Sequence, residues 1–454
     1  MMWASAAGFL EQTDSEIGRF EKALEDIGVM DNTLFIYIAG DNGSSAEGGL
    51  EGTLNENLFF NGFPDKWEDE LKVIDELGGP KHFNHFPAEW AHAMNTPFQW
   101  TKQVASHFGG TRNPMIVSWP AKIKDKGGLR DQFMHVIDVV PTIYELTGIS
   151  APTNLNGVQQ TPIEGISFAY TLDDAKAKSR RTTQYFEMVV NRGIYHDGWM
   201  ASALSFPPWQ SVRGQFDPDK QKWELYNIDE DFSQANDVAQ ANPEKLRELQ
   251  DLWWVEAAKY NVLPLDWRGV ERFNSEAMGR PSLIAGRNKL EYFPGMVALP
   301  LGSAPPMLNK SWTITANIEV PEGGNGMIVT EGGIEGGFGL YLRDGKPTFV
   351  YNFLGAERTT FAAKDPLPKG KTKLVVNFAY DGGGRGKGGT VTMTANGNKI
   401  AEGRLERTVP VQFSLGEGLD IGVDSGSAVD FTYQLPFEFT GTIEKVEIDL
   451  GPVT

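Results

Sequence analysis

The first part of the chain alternates helix-like and strand-like hydrophobic patterns. Between residues 5 and 28, apolar side chains recur at intervals of three, four and seven, which predicts an amphipathic helix that stops at Gly28. The run 33–39 is short, β-branched and aromatic, which predicts a buried strand of an α/β sheet that ends in the loop 40–43. This order is typical of α/β proteins, whose ligands bind beyond the carboxyl ends of the strands.

A long segment, 44–99, follows this strand and is rich in glycine, asparagine and aromatic residues. It is too long for a simple connection, so we expect a lid or a wall of a substrate site. We expect residues 1–265 to form one α/β domain. Its further predicted elements are a strand at 114–119, a helix from Asp138 to Gly148, strands at 184–190 and 198–204, and a helix at 244–260.

The pattern changes after residue 265. Periodicity fades between 266 and 308, which we interpret as a linker wrapped on the first domain. From 309 to 454 short segments alternate apolar and polar residues, and Asp344-Gly345 and Asn396-Gly397 between them are typical hairpin turns. Such regular short strands predict a second domain that is an all-β sandwich.

Composition excludes several classes of protein. The net charge of −19 disfavours nucleic-acid binding, which needs clustered basic residues, and it is compatible with hard cations. The absence of cysteine excludes disulfides, thiolate zinc sites and a cysteine nucleophile. No apolar run is long enough to span a membrane. Residues 1–10 do not have the pattern of a signal peptide, so the compartment stays unknown, with a periplasmic or extracellular location open for the intact protein.

Two groups of residues could carry chemistry. Asp41 and Asn42 present a carboxylate and an amide carbonyl at a strand end, which suits Ca²⁺ or Mg²⁺, although the same residues also favour a plain turn. The second group is Lys102, His107, the pair Gly109-Gly110 and Arg112. The glycines would let backbone approach an anion, and the basic side chains would bind it. An internal salt-bridge network would explain the same residues, and Arg112 fits either role.

Several of these motifs, in order, resemble the sulfatase family. Residues 33–43 resemble its strand leading into Asp-Asn-Gly, and Lys102 followed by Gly109-Gly110-Thr-Arg112 resembles its sulfate-binding lysine with the Gly-Gly element after it. Here the element reads His107-Phe-Gly-Gly where Glu-Gly-Gly is commoner, a departure that resembles a bacterial arylsulfatase subgroup. Trp223-Glu-Leu-Tyr resembles the element near the end of the sulfatase domain. The resemblance covers about residues 5–265.

The resemblance implies a fold and an activity. The fold would be the C-terminal part of an alkaline phosphatase-like sulfatase domain, and the activity the hydrolysis of aryl or carbohydrate sulfates to an alcohol or phenol and inorganic sulfate. Asp41 and Asn42 would bind the cation, usually Ca²⁺ with Mg²⁺ as the other candidate. Lys102 would hold a sulfate oxygen beside Gly109 and Gly110, and His107 would either face the sulfate or only pack the loop.

The family's nucleophile has no counterpart among these residues. Sulfatases of this type use a formylglycine made from Cys or Ser in a Cys/Ser-x-Pro-x-Arg element, and that element is absent here. We therefore expect a chain that is truncated at its N-terminus and inactive alone. Two other readings stay open: a phosphomonoester or phosphonate hydrolase of the same superfamily, and a non-catalytic carbohydrate-binding remnant.

The second domain resembles the concanavalin A-like or laminin G-like class, through its strand rhythm and its opening Ser311-Trp-Thr-Ile. The resemblance implies either carbohydrate binding or a role in covering and stabilising the first domain.

Overall fold

The computed structural model describes residues 1–453 except 41, 211–215, 270–271, 273–277, 279 and 301. The α-helices are α1 Met2–Asp26, α2 Glu56–Asn61, α3 Trp67–Lys72, α4 Ala88–Met94, α5 Val139–Thr147, α6 Tyr170–Asp173 and α7 Pro243–Lys259. The strands up to residue 227 are β1 Phe35–Ile38, β2 Met115–Ser118, β3 Asn154–Leu155, β4 Val158–Gln159, β5 Thr183–Met188, β6 Asn191–His196, β7 Trp199–Ala203 and β8 Glu224–Asn227. The later strands are β9 Lys289–Tyr292, β10 Lys310–Val320, β11 Gly326–Gly333, β12 Gly336–Arg343, β13 Lys346–Phe353, β14 Glu357–Ala362, β15 Gly370–Tyr380, β16 Lys387–Ala395, β17 Asn398–Arg407, β18 Leu419–Ile421 and β19 Thr442–Val453.

The chain forms two compact units. One unit, which we call the α/β unit, comprises residues 6–46 and 88–267. The other, the sandwich unit, comprises residues 1–5, 47–87 and 268–454. No helix among the described residues is long and apolar enough to cross a membrane.

Strand β1 carries the first candidate residues of the α/β unit at its end. It pairs with β2 in antiparallel fashion, from Phe35 opposite Ser118 to Ile38 opposite Met115. The strand predicted at 33–39 is therefore present, but in the described residues it is half-buried, and Ile38 keeps 39% of its surface exposed. The apolar pattern identified the strand; it carries no information on the direction of the partner strand.

A second sheet of this unit supports the candidate site. Strands β5, β6, β7 and β8 form an antiparallel sheet in chain order. One face packs Ile194, Ala201 and Leu225 against Leu249 and Trp253 of α7. Burying a leucine or isoleucine side chain in this way stabilises the fold by about 1.5–3 kcal/mol.

The opposite face of this sheet carries a loop. It packs Tyr195, Met200 and Tyr226 against the buried ring of Phe108. Because Phe108 precedes Gly109-Gly110, the sheet anchors the loop that holds the second group of candidate residues.

The C-terminal part is a β-sandwich, as the sequence predicts. Among the described residues, one sheet has the order β17-β16-β15-β10-β19-β9 and the other the order β14-β13-β12-β11-β18. Both sheets contribute to one hydrophobic core, for example Ile314 and Val376 from the first, and Phe338 and Phe349 from the second. Strand β9 comes from the segment interpreted as a linker and pairs with β19.

Both predicted hairpin turns are present. Asp344 and Gly345 have φ of 52° and 76° between β12 and β13, and Asn396 and Gly397 have φ of 49° and 84° between β16 and β17. Two successive positive φ angles define a turn that matches the twist of the strands, and this is why Asp-Gly and Asn-Gly predicted it.

Residues 47–87, which the sequence groups with the α/β domain, cluster with the sandwich. The side-chain amide of Asn57 donates to the backbone carbonyl of Phe413 at 2.5 Å, and the side-chain oxygen Oδ1 of Asn61 accepts from the backbone NH of Val411 at 3.0 Å. The amide of Asn55 donates to the carbonyls of Glu335 and Leu354 at 2.8 and 2.7 Å. Asparagines around α2 thus satisfy backbone groups of the sandwich about 300 residues away in sequence.

Candidate functional site

The turn after β1 is closely packed against the rest of the α/β unit. Asp41 lies outside the described residues, and Asn42, whose side chain is exposed, has a φ of 59°. Gly43 has a φ of 89°, and a Cβ at this position would lie 1.9 Å from the carbonyl oxygen of Gly109. Its NH donates to the side-chain carbonyl of Asn113 at 3.3 Å. Only glycine fits at position 43, and this contact brings the turn to the loop 99–110.

Hydrogen bonds join this turn to Lys102. The backbone NH of Lys102 donates to the carbonyl of Ser44 at 3.0 Å. The side chain of Asn95 bonds to both segments. Its oxygen Oδ1 accepts from the backbone NH of Ser44, and its NH2 group donates to the backbone carbonyl of Trp100, each at 3.0 Å. Ser44, two residues after Asn42, is therefore hydrogen-bonded directly to Lys102 and, through Asn95, to the same loop.

The backbone beside Lys102 is strained. Trp100 and Gln103 have φ of 69° and 75°, in the left-handed region that non-glycine residues seldom adopt. Each such residue costs on the order of 1–3 kcal/mol and persists only where the surroundings enforce it. Strain on both sides of Lys102 indicates that its position is determined by the fold. The indole of Trp100 stacks on Trp209, with ring centroids 6.1 Å apart.

Gly109 and Gly110 serve the packing of the loop. Their NH groups donate to the carbonyls of Gln99 at 3.0 Å and His107 at 2.9 Å, so both are engaged within the loop. A Cβ on Gly109 would lie 2.2 Å from the carbonyl oxygens of Gln99 and Trp100, and one on Gly110 would lie 2.3 Å from that of Val104. The geometry explains the glycines by close backbone approach, whereas the sequence suggested approach to an anion.

His107 is held inside the fold. Its side chain is 1% exposed, Nδ1 lies 2.9 Å from the hydroxyl of Ser106, and Nε2 lies 3.2 Å from a carboxylate oxygen of Glu224. The hydrogen bond from His107 lowers the pKa of the Glu224 carboxyl to about 2, and burial raises the pKa of the adjacent Tyr226 hydroxyl. Of the two roles that the sequence left open for His107, this arrangement favours packing the loop.

Arg112 also has a structural environment. Its guanidinium lies 4.0 Å from the ring centroid of Phe232 and between 5 and 6 Å from those of Phe98 and Phe108. Burial lowers the pKa of Arg112, although the group stays cationic. Cation–π contact favours the structural alternative for this residue.

Gln234 is a positioning residue that the sequence did not reveal. It is fully buried with a φ of 59°, and its side-chain carbonyl accepts from the NH of Phe108 at 2.7 Å. Its amide donates to the hydroxyl of Ser202 on β7 at 3.1 Å, and its backbone carbonyl accepts from the amide of Gln99. The only sequence signal was its place eight residues after the Trp223-Glu-Leu-Tyr element.

Comparison with known proteins agrees with this architecture. Residues 2–149 match the sulfatase family model, and residues 100–253 match the model of the C-terminal region of N-sulphoglucosamine sulphohydrolase. Together these matches cover residues 41 and 42, the Lys102 loop and the sheet that supports the loop. Residues 2–253 of this chain therefore match sulfatase models, whereas the sandwich lies outside both matches.

The relatives are distant. The chain is 28% identical over 261 residues to an uncharacterized sulfatase of Schizosaccharomyces pombe, an alignment that covers 57% of this chain and 43% of the relative. It is 26% identical over 175 residues to an arylsulfatase of Klebsiella aerogenes, covering 38% and 35%. A solved structure from Bacteroides thetaiotaomicron, described in work on glycosaminoglycan metabolism, is 20% identical in sequence and superposes with a TM-score of 0.35. The superposition covers 55% of this chain and 43% of the chain in that structure. The chain spans less than half the length of these two curated relatives.

Proposed function

We propose that this chain supplies the cation-binding and sulfate-binding part of an arylsulfatase-type sulfuric ester hydrolase. The match to the sulfatase family model supports hydrolysis of a sulfate ester in general. The observation that carries the finer proposal is the 3.0 Å hydrogen bond between Lys102 and Ser44, two residues after Asn42. It joins the backbone of Lys102 to a segment two residues after Asn42, and this supports a cationic side chain and hard oxygen donors that act on the same sulfate group.

The donor set at the turn fits a hard divalent cation. The Asp41 carboxylate and the Asn42 amide carbonyl are oxygen ligands that suit Ca²⁺, with Mg²⁺ as the second candidate. A bound cation would withdraw charge from the sulfate oxygens. The side chain of Asn42 is exposed at the end of β1 and can reach such an ion.

Lys102 would hold the sulfate by charge. Its ammonium is a compact positive charge that would neutralise a sulfate oxygen as charge develops there. The stacked rings of Trp100 and Trp209 would offer an apolar surface to an aromatic alcohol or to the face of a sugar. His107, Gly109 and Gly110 would act as positioning residues for the lysine. The substrate class is therefore a sulfated small molecule or carbohydrate.

A nucleophile is needed in addition to these residues. The 454 residues contain no cysteine and no Ser-x-Pro-x-Arg, so a formylglycine cannot arise from these elements here. We therefore expect this chain alone to hydrolyse no sulfate ester, because binding groups without a nucleophile do not complete nucleophilic catalysis.

The test measures release of nitrophenol from 4-nitrophenyl sulfate with Ca²⁺. The 454-residue chain should show no turnover, whereas a protein that combines these residues with a sulfatase segment carrying Cys/Ser-x-Pro-x-Arg should hydrolyse the ester. In the active protein Lys102→Ala should lower kcat by about 10²–10³-fold. Lys122→Ala is the matched control, since that ammonium lies over the ring of Trp119, 5.7 Å from its centroid.

Three results would contradict the proposal. Turnover by the 454-residue chain would show that no separate nucleophile is needed. Faster hydrolysis of 4-nitrophenyl phosphate than of the sulfate would favour a phosphomonoester hydrolase. Binding of a sulfated oligosaccharide without turnover by either protein would favour the non-catalytic alternative.

A further inference from the structure

Three side chains of metal-binding type meet in the sandwich unit. One oxygen each from Glu47 and Glu56 and one ring nitrogen of His85 all lie within 4.8 Å of one another. Glu47 is nine-tenths buried, and the other two residues are partly buried. Within the part of the chain that the structure describes, no other group of three histidine or acidic side chains has this spacing.

The backbone fixes two of these residues relative to each other. His85 and Thr53 exchange two backbone hydrogen bonds, at 2.9 and 3.0 Å, and the NH of Glu56 donates to the carbonyl of Phe83 at 3.0 Å. Residues 53–56 and 83–85 thus form a paired frame that presents one ligand from each side. The frame is specified by main-chain bonds, so the side chains start from fixed positions.

The third residue is fixed by close packing. Gly48, the neighbour of Glu47, lies directly against Phe86, the neighbour of His85. A Cβ added to Gly48 would be 2.2 Å from the carbonyl oxygen of Phe86. Glu47 therefore enters the group from a turn that cannot move away from His85 without losing this packing. All three ligands belong to a preorganised arrangement.

The imidazole of His85 has one ring nitrogen already engaged by the backbone. Its Nδ1 lies 2.9 Å from the carbonyl oxygen of Phe86, and a carbonyl can only accept, so Nδ1 carries a proton. In a neutral ring this leaves the lone pair on Nε2, and a histidine that donates its other ring NH to a backbone carbonyl is the usual arrangement in metal sites. This contact fixes the tautomer of His85 independently of the spacing of the three residues.

Charge also favours a divalent ion. Two carboxylates brought this close, one of them buried, need compensating positive charge. A divalent ion bound by the three side chains would compensate the charge of both carboxylates. One imidazole with two carboxylates suits Zn²⁺ or another first-row ion better than Ca²⁺.

We propose that Glu47, Glu56 and His85 form a divalent-cation site of the Zn²⁺ type, which fastens residues 47–56 to 83–86. It is separate in its residues and in its donor chemistry from the oxygen donors Asp41 and Asn42. It does not depend on the proposed hydrolase function.

The test adds Zn²⁺ alone to the full chain after chelation with EDTA. Isothermal titration calorimetry should show one strong site, and Zn²⁺ should raise the Tm. His85→Gln and Glu56→Gln should weaken binding by at least about tenfold, since the loss of even an outer-shell partner of a metal ligand costs roughly 10–100-fold in affinity. Glu51→Gln, an exposed glutamate of the same turn as Glu47, is the matched control and should bind as the unaltered chain does.

Absorption of bound Co²⁺ reports on the nitrogen ligand. We expect visible bands in the unaltered chain and in Asn42→Ala, and their loss in His85→Gln. No Zn²⁺-dependent rise in the Tm of the unaltered chain would overturn the proposal even if the variants fail to fold. Binding that survives His85→Gln and disappears in Asn42→Ala would also overturn it, by assigning the ion to the Asp41–Asn42 turn.

Discussion

A buried carboxyl group in the sandwich should make its stability fall as pH rises. Glu331 on β11 is opposite Phe338 on β12 and Leu419 on β18, both core residues, and it is 3% exposed. Its Oε2 has no hydrogen-bond partner among the described residues. Burial raises the pKa of Glu331 from 4.5 to about 8. The informative perturbation is Glu331→Gln, which keeps the shape and removes the ionisation.

The magnitude follows from the two pKa values. The difference between about 8 in the folded chain and 4.5 in the unfolded chain is worth roughly 5 kcal/mol, at 1.36 kcal/mol per pH unit. Because the folded pKa is the higher one, the folded state holds the proton more tightly. This contribution is fully present below pH 4.5 and is lost as pH rises through about 8.

The assay is urea unfolding of the full chain from pH 5 to pH 8, followed by far-UV circular dichroism. Hydrogen–deuterium exchange of peptides from β11 and β12 assigns the transition of the sandwich. The unaltered chain should lose up to about 1.4 kcal/mol of unfolding free energy per pH unit more than Glu331→Gln does. Glu319→Gln, at an exposed position of β10, should keep the slope of the unaltered chain. Equal slopes for the unaltered chain and Glu331→Gln would refute the reasoning.

Three further predictions concern packing and charge. Gly43→Ala should destabilise the α/β unit by about 2 kcal/mol or more, because the added Cβ meets the carbonyl of Gly109 and the φ of residue 43 is positive. The control is Gly8→Ala, where nothing lies within 4 Å of the added Cβ, and equal Tm values for the two variants would contradict the prediction. Glu224→Gln should lose less stability than the unaltered chain when pH falls from 4.5 to 2. The reason is that the lowered pKa of Glu224 contributes stability that is present above pH 4.5 and is lost as pH falls through about 2. Tm values across this pH range check the prediction, and parallel Tm curves for the two proteins would argue against the His107–Glu224 contact. Asn57→Ala should lower the unfolding free energy of the sandwich unit by about 1–3 kcal/mol in urea, because it leaves the carbonyl of Phe413 without this buried donor; an unchanged midpoint would mean that water replaces the amide.

Some of this protein could be predicted from short stretches of sequence. The hairpins at 344–345 and 396–397 were predictable because Asp-Gly and Asn-Gly adopt positive φ at little cost, a property of the residues themselves. Helix α7 was predictable because Pro243 stands at its first position and Lys259 in its last turn. The ordered motifs around Asp41, Lys102 and Trp223 were enough to predict the resemblance to sulfatases, whose models match residues 2–253.

Other features depend on partners that are distant in sequence. Residues 47–87 join the sandwich through asparagine amides that bond to backbone carbonyls about 300 residues away, and no local pattern marks such a partner. Gly109 and Gly110 looked like an anion-binding loop, yet their NH groups donate to carbonyls of residues 99 and 107.

The same distinction holds for the candidate sites. The sequence by itself determined the turn, the strand and the residue types at Asn42 and Lys102, because these depend on backbone and side-chain chemistry over a few residues. Only the tertiary structure decided that Asn95 and Gln234 brace the lysine loop, that His107 is bonded at both ring nitrogens, and that Glu47, Glu56 and His85 meet. The physical reason is that hydrogen bonds and close packing depend on distance in space, whereas sequence patterns report only on neighbours along the chain.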